Sequence, residues 1–446
     1  MPVNKNIFIH DTDKAALKTL EAIPGFSQVT KAFLSGWNER LMAIDNMATN
    51  LKVSEKQLPK YREMLLPICE KLEIEVPDLF IKLDVRPNAY TSGDSKPFIV
   101  MTTGLLESMP EELIPTVLAH ECGHIACHHV LYRTMGTMII SGLFTAFPLG
   151  AVAIYPIKAA FANWMRASEL SADRAAILAD GTDEKLLEMC MRFAGYPKDM
   201  REEMNVEAFI GQAKEYKEMI EKDGMNKAMD FMMHSMADHP LSALRAYEAR
   251  EWCKSESYRR SKEYFDACRA GLEPREFPLE TDEKNLIGKE VSEVKEMISK
   301  MGFSDIEVVR NGEKNLFGKN NAVTKVTIGD RTFSEGEWAM KGEKVVLTYY
   351  LPYTDEEIMA MHPHEVKMPY SSAYYTGKKK DEVLLALEKL GFDYITTEAV
   401  EDVSRDNEKQ LEKVIRIDVE GKKGFDRGEW IDLDTAFKIV YHERKN

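Results

Sequence analysis

The chain has 446 residues, 44% hydrophobic, 30% charged and 9% aromatic, enough apolar material for two or three buried cores and too much for a disordered or fibrous chain. Fifty-nine Lys and Arg against 74 Asp and Glu leave a net charge of −15, a sign that repels phosphate backbones and argues against a nucleic-acid partner. Six cysteines with no C-x-x-C pair exclude zinc-ribbon and thioredoxin chemistry and predict reduced, mostly buried thiols.

The first ten residues hold only a three-residue apolar patch, cut short by His10 and Asp11, so no secretory signal is predicted and a cytoplasmic location is expected. From about Asp11 to Leu72 apolar residues recur at three- and four-residue steps (Ala16, Leu17, Leu20; Phe33, Leu34, Trp37, Leu41, Ile44), which predicts helices. Leu79–Val85 and Pro97–Thr103 then read as two short strands joined by a loop holding Asn88 and Gly93. A helix is expected from Ser108, with Pro110 in its first turn and Glu111 and Glu112 on the dipole, continuing through Arg133.

That helix carries His120-Glu121-Cys122-Gly123-His124, an H-E-x-x-H. Residues four apart project from one helix face, so both imidazoles can reach a single cation at about 2.0–2.1 Å. Glu121, one position round, can act as general base, and Gly123 is expected to remove bulk beside the metal. A metzincin would place its third histidine at position 130, which is Val130, so that pattern fails. His128 and His129 are assigned structural or solvent roles. A carboxylate from a second helix fits better. Glu169 and Asp173 share one helical face, so Glu169 can be the third ligand while Asp173 holds a ligand imidazole, the alternative being a solvated charged stripe. His239, beside Pro240, is the candidate oxyanion donor or, equally, a helix cap, with Tyr90 a second, weaker candidate donor.

His120-Glu-x-x-His124 with Glu169-x-x-x-Asp173 in a Ser-Ala-Asp-Arg context resembles the zinc peptidases of the HtpX and CAAX prenyl protease family. The likeness takes in Asn88-Ala-Tyr90 and Ile99–Leu106 upstream, and His239-Pro240 and Arg245 downstream, covering about residues 11–269. The resemblance implies one catalytic Zn2+, endopeptidase activity on polypeptides and a part in protein quality control. Substrate is expected to add as a strand along Phe98, Ile99, Val100 and Met101, near Asn88 and Tyr90. The competing class is a catalytically weak zincin-fold scaffold or holdase.

Residues 134–157 carry no charge. As one helix they would span about 36 Å, long enough to cross a bilayer. Yet His124 and Glu169 flank the stretch and must meet at one metal, so a single crossing is excluded, and two crossings need about 40 apolar residues. A buried or re-entrant helical hairpin is predicted, with peripheral membrane contact as the alternative.

The last third contains a repeat. Gly288–Phe303 aligns with Gly377–Phe392, and Phe333-Ser-Glu-Gly-Glu-Trp338 with Phe425-Asp-Arg-Gly-Glu-Trp430. Each copy reads helix, Gly-Phe stop, then three strands, with Trp338 and Trp430 expected in the cores. The copies resemble PASTA repeats, a family that binds cell-wall fragments or serves as a spacer; a protein-interaction module is the other reading. The expected fold is α+β: a mainly helical zincin-like domain with a small edge sheet over residues 1–275, then α/β repeats over 282–355 and 373–446.

Overall fold

The apolar periodicity of the N-terminal segment is realised as α1 (Asp11–Glu21), α2 (Phe26–Gly36), α3 (Glu39–Thr49) and α4 (Pro59–Leu72). The His10 side chain caps α1 by accepting from the Thr12 N–H, and Asp11 and Asp13 sit in its first turn, where the helix dipole favours them. The computed structural model describes residues 3–36, 39–142, 154–195, 200, 203–221, 241–314, 321–351, 355–420 and 422–445. Two units form, Met1–Val308 with Lys325–Leu347, and Val309–Thr324 with Thr348–Asn446.

In the first unit, β1 (Leu51–Lys52), β2 (Asp78–Lys82), β3 (Ala89–Ser92) and β4 (Phe98–Thr102) make one sheet in the order β1-β2-β4-β3. β4 runs parallel to β2 and antiparallel to β3, and all five of its residues are buried. The interior position explains its unbroken apolar run. It also corrects the expectation that substrate adds along Phe98, Ile99, Val100 and Met101, because their backbone is already paired on both sides. The segment read as a loop is in fact β3, the edge strand, with Tyr90 in it and Asn88 just before it.

After α5 (Thr103–Ser108) and a 3-10 turn at Glu111–Leu113, the motif helix α6 spans Ile114–Ala126, with Pro115 in its first turn. It does not run on to Arg133. His128 takes φ 58°, the His128 N–H donates to the Ile125 carbonyl (3.0 Å), and the His129 N–H donates to the His124 carbonyl (2.9 Å). That pattern ends a helix through a left-handed residue, and α7 (Val130–Ile140) starts in a new direction. α8 (Ile154–Asp180), α9 (Glu184–Phe193), α10 (Val206–Glu221), α11 (Ser242–Cys253) and α12 (Glu256–Arg269) complete the helical part.

One apolar core joins α1, α2, α7 and α8 through Ala16, Leu20, Phe26, Val29, Phe33, Met135, Ile139, Ile157, Phe161 and Trp164. Met135, Ile139 and Ile157 belong to the uncharged stretch, so each of its described ends sends residues into this core, although Tyr155 is 82% exposed. The connection itself, residues 143–153, lies outside the described residues. Among the described residues no helix is long and apolar enough to cross a membrane. All six cysteines are unbridged, and all but the half-buried Cys253 are buried.

The stretch between residues 275 and 282, outside both expected domains, contains β5 (Glu276–Pro278), after which come α13 (Val291–Lys300), β6 (Ile306–Lys314), β7 (Val323–Ile328), β8 (Trp338–Met340) and β9 (Val345–Leu351). The later copy has α14 (Asp355–Met361), β10 (Glu365–Lys367), α15 (Ser372–Tyr375), α16 (Lys380–Glu388), β11 (Ile395–Val403), β12 (Val414–Val419), β13 (Lys422–Lys423), β14 (Trp430–Asp432) and β15 (Phe437–Arg444). The pairing repeats. β5 pairs β8 with Pro278 opposite Trp338, as β10 pairs β14 with Lys367 opposite Trp430. The main sheets are ordered β6-β9-β7 and β11-β15-β12-β13.

Each copy thus takes in a strand upstream of residues 282 and 373. The Gly-Phe stops are helix caps: Gly302 and Gly391 hold φ of 109° and 98°, and the buried Phe303 and Phe392 donate back to Ile298 and Leu387. Trp338 and Trp430 are half-buried rather than core residues, because strand alternation turns Ala339 and Ile431 inward instead.

Candidate metal centre

α6 and α8 lie against each other at a glycine. A Cβ built on Gly123 would stand 2.9 Å from both the Ala172 carbonyl oxygen and the Ala175 Cβ. Gly123 therefore serves helix packing rather than space beside the metal. The close approach brings His120 and His124 of α6 face to face with Glu169 of α8. The Nε2 atoms of His120 and His124 lie 3.3 Å from Glu169 Oε2 and Oε1 respectively. One ligand atom from each residue falls within 4.8 Å of the other two, and all three residues are buried.

Asp173, one turn beyond Glu169, sits 2.9 Å from His120 Nδ1, and Arg245 of α11 donates to it from Nε (2.8 Å) and Nη2 (2.5 Å). Both Glu169 oxygens also meet guanidinium groups, Arg133 Nη1 at 2.7 Å and Arg245 Nη1 at 3.1 Å. Glu121 is buried with its Oε2 accepting from the Thr91 hydroxyl of β3 at 2.6 Å, which ties this carboxylate to the edge strand.

The titration of the two rings differs. Burial and Arg245 oppose a charge on His120, but hydrogen bonds to Asp173 and Glu169 outweigh them and lift it to about 9. Burial and Arg133 hold His124 well below the usual histidine range. Burial also disfavours a charged Asp173, yet Arg245 and the hydrogen bond to His120 keep its carboxyl below the usual range. Asp13 is likewise held low, its desolvation outweighed by hydrogen bonds from His129, Ser171 and Trp164.

The donor set suits a metal. Two imidazole nitrogens and a carboxylate are the ligands of a three-coordinate zinc site with an open position. Among the described residues, the buried His124 Nε2 finds no well-formed hydrogen bond, only Glu169 Oε1 at 3.3 Å, an arrangement that costs free energy unless a cation takes its lone pair.

The three sequence candidates for ligands converge on this point, with Asp173 against His120, while Glu121 on the same helix is held by Thr91. His239 lies outside the described residues. Asn88 and Tyr90 are at the edge strand, away from the interior of the sheet. The sequence reading singles out neither Thr91, Arg133 nor Asp13, and it quotes Arg245 without a role. Of the structural and solvent roles expected for His129, burial leaves the structural one: its Nδ1 lies 3.1 Å from His124 Nδ1. The one available signal for it was its nearness to the motif. His128 is exposed.

Fold and site define a metallopeptidase-type centre, two histidines and a glutamate from two packed helices beside an edge strand. A family model described as Peptidase family M48 matches residues 56–253. The plastoglobule-localized metallopeptidase 48, chloroplastic, of Arabidopsis thaliana is 34% identical over 254 residues, 56% of this chain and 74% of that protein. Protease HtpX of Idiomarina loihiensis is 33% identical over 122 residues, 26% of this chain and 40% of that protein. The chain belongs to peptidase family M48. A three-PASTA-domain structure from a Staphylococcus aureus Ser/Thr kinase shares 19% identity over 35% of this chain and 64% of its own, at a TM-score of 0.14. That score is too low to bear on the repeats, which rest on their own matched pairing.

Proposed function

We propose that the chain is a zinc-dependent endopeptidase cleaving unfolded or extended polypeptides, with one Zn2+ held by His120, His124 and Glu169. The convergence of those three buried ligand atoms within 4.8 Å carries the reading. Bound there, zinc supplies Lewis-acid polarisation of the scissile carbonyl and lowers the pKa of water to about 7. Glu121 takes up the proton of the attacking water and passes it to the leaving amine, with Thr91 holding its carboxylate in place. Asp173 keeps the proton of His120 on Nδ1, so that Nε2 faces the metal.

Substrate lies in extended form alongside β3 rather than β4, since β3 is the edge strand and carries the hydroxyl that touches the base. Loose sequence selectivity follows from main-chain recognition and suits a role in protein quality control. The six unbridged thiols favour a reducing, cytoplasmic setting. The two repeats serve in this reading as a protein- or cell-wall-binding module.

The test is Glu121→Gln in the purified full-length chain. Casein cleavage is lost while metal content stays near one zinc per chain. Persistent cleavage by a clean preparation would show that Glu121 is not the base. Glu169→Ala should strip the metal, and retained stoichiometry would remove it from the ligand set.

A further inference from the structure

Helix α1 lies upstream of the family-matched region, yet it sends a carboxylate into the space behind a metal ligand. Asp13 is 2% exposed. It accepts from Trp164 Nε1 (2.9 Å) and from the Ser171 hydroxyl (2.6 Å), both on α8, and its Oδ2 lies 3.0 Å from His129 Nε2. On its other side, His129 Nδ1 meets His124 Nδ1 at 3.1 Å.

The order of donors along this chain follows from chemistry. An ionised carboxylate can only accept, so His129 Nε2 carries a proton. In a neutral His129 the Nδ1 atom is then the acceptor, and His124 must donate from Nδ1. His124 Nε2 is left bare, on the side facing Glu169. The left-handed turn at His128 makes this contact, because a continuous helix would carry residue 129 well away from the face of His124. His120 has a direct counterpart in Asp173; among the described residues His124 Nδ1 meets His129 instead and reaches a carboxylate through that second imidazole.

We propose that His129 and Asp13 are positioning residues that fix the tautomer and ring angle of His124 for the metal, so that α1 is part of the metal centre. The proposal rests on the metal site of the preceding section but not on peptide hydrolysis. The rival account is that Asp13 merely ties α1 to α8.

The experiment compares His129→Phe, His129→Gln and Asp13→Asn in the full chain. Zinc affinity is measured by chelator competition, the Co2+ derivative by its visible absorption, and the metal-free fold by thermal unfolding. His129→Phe fills the space without an acceptor and should lose 10- to 100-fold in zinc affinity with an altered Co2+ spectrum. His129→Gln, whose side-chain carbonyl can accept from His124, should recover most of that loss. Asp13→Asn should fall between the two.

Unchanged zinc affinity and an unchanged spectrum in His129→Phe and Asp13→Asn overturn the proposal, whatever the unfolding temperature does. So does a His129→Gln variant as weak as His129→Phe. Should the wild-type chain bind zinc yet leave casein intact, the relay stands and the peptidase reading falls; wild-type protein that binds no zinc overturns both.

Discussion

Replacing Gly123 by alanine measures how far the metal site depends on the approach of α6 to α8. The new Cβ would stand 2.9 Å from the Ala175 Cβ and the Ala172 oxygen, and 3.0 Å from the Ala172 Cα. Carbon atoms in contact prefer about 3.5–4.0 Å, so the helices must part by roughly 0.6–1 Å. Metal–ligand distances tolerate about 0.2 Å, so the shift is several times what the His120, His124 and Glu169 set can absorb without re-forming. Overpacking costs about 1–3 kcal/mol. The better helix propensity of alanine returns up to about 1 kcal/mol.

Gly123→Ala should therefore destabilise the metal-free protein by about 0–2 kcal/mol in urea unfolding and weaken zinc at least tenfold in chelator competition. A variant stabilised by about 1 kcal/mol with wild-type zinc affinity would refute the reasoning, since it would mean the glycine is not at a tight contact.

Thr91→Val keeps the shape of the side chain but removes its hydrogen bond to Glu121, one of the charge-assisted kind worth about 1.5–3 kcal/mol. Cleavage should fall roughly 10- to 100-fold in a steady-state assay while zinc content is unchanged. His128→Gly relieves a left-handed backbone that costs other residues roughly 1–2 kcal/mol, so the variant should unfold at equal or higher urea and cleave normally. His128→Val should be less stable than wild type by the same measurement. Glu39 accepts from the backbone N–H groups of Asp94 (2.6 Å) and Lys96 (2.9 Å) and from the Ser95 hydroxyl (2.7 Å), bonds that outweigh its partial desolvation and hold its carboxyl below the usual range. A depressed folded value stabilises above the ordinary glutamate pKa of about 4.3 and loses its effect as the pH falls through the folded value. The stability gap between wild type and Glu39→Gln should thus be widest at neutral pH and close toward pH 3, followed by denaturant unfolding across that range.

Much of the metal centre was legible because its parts are local. Two histidines four apart share a face on any α-helix, and Glu169 and Asp173 do so on another. The repeat was legible for the same reason, since each Gly-Phe stop is a short-range capping device. The strand beside the site was not, because pairing partners come from distant segments. Phe98–Met101 has an apolar run that suits either an exposed edge awaiting a substrate or an interior strand, and only the neighbours β2 and β3 decide between them. The helix end at Ala126 was hidden too, because a histidine rather than a glycine takes the left-handed position.

By itself the amino-acid order determined which side chains could be ligands, base and orienting acid, through helical periodicity and donor chemistry alone. The tertiary structure decided the rest. It set the spacing of α6 from α8 at Gly123, brought Arg133 and Arg245 onto Glu169, and carried Asp13 across 116 positions of chain to His129. Those contacts depend on packing between elements far apart in sequence, where no local rule of spacing operates.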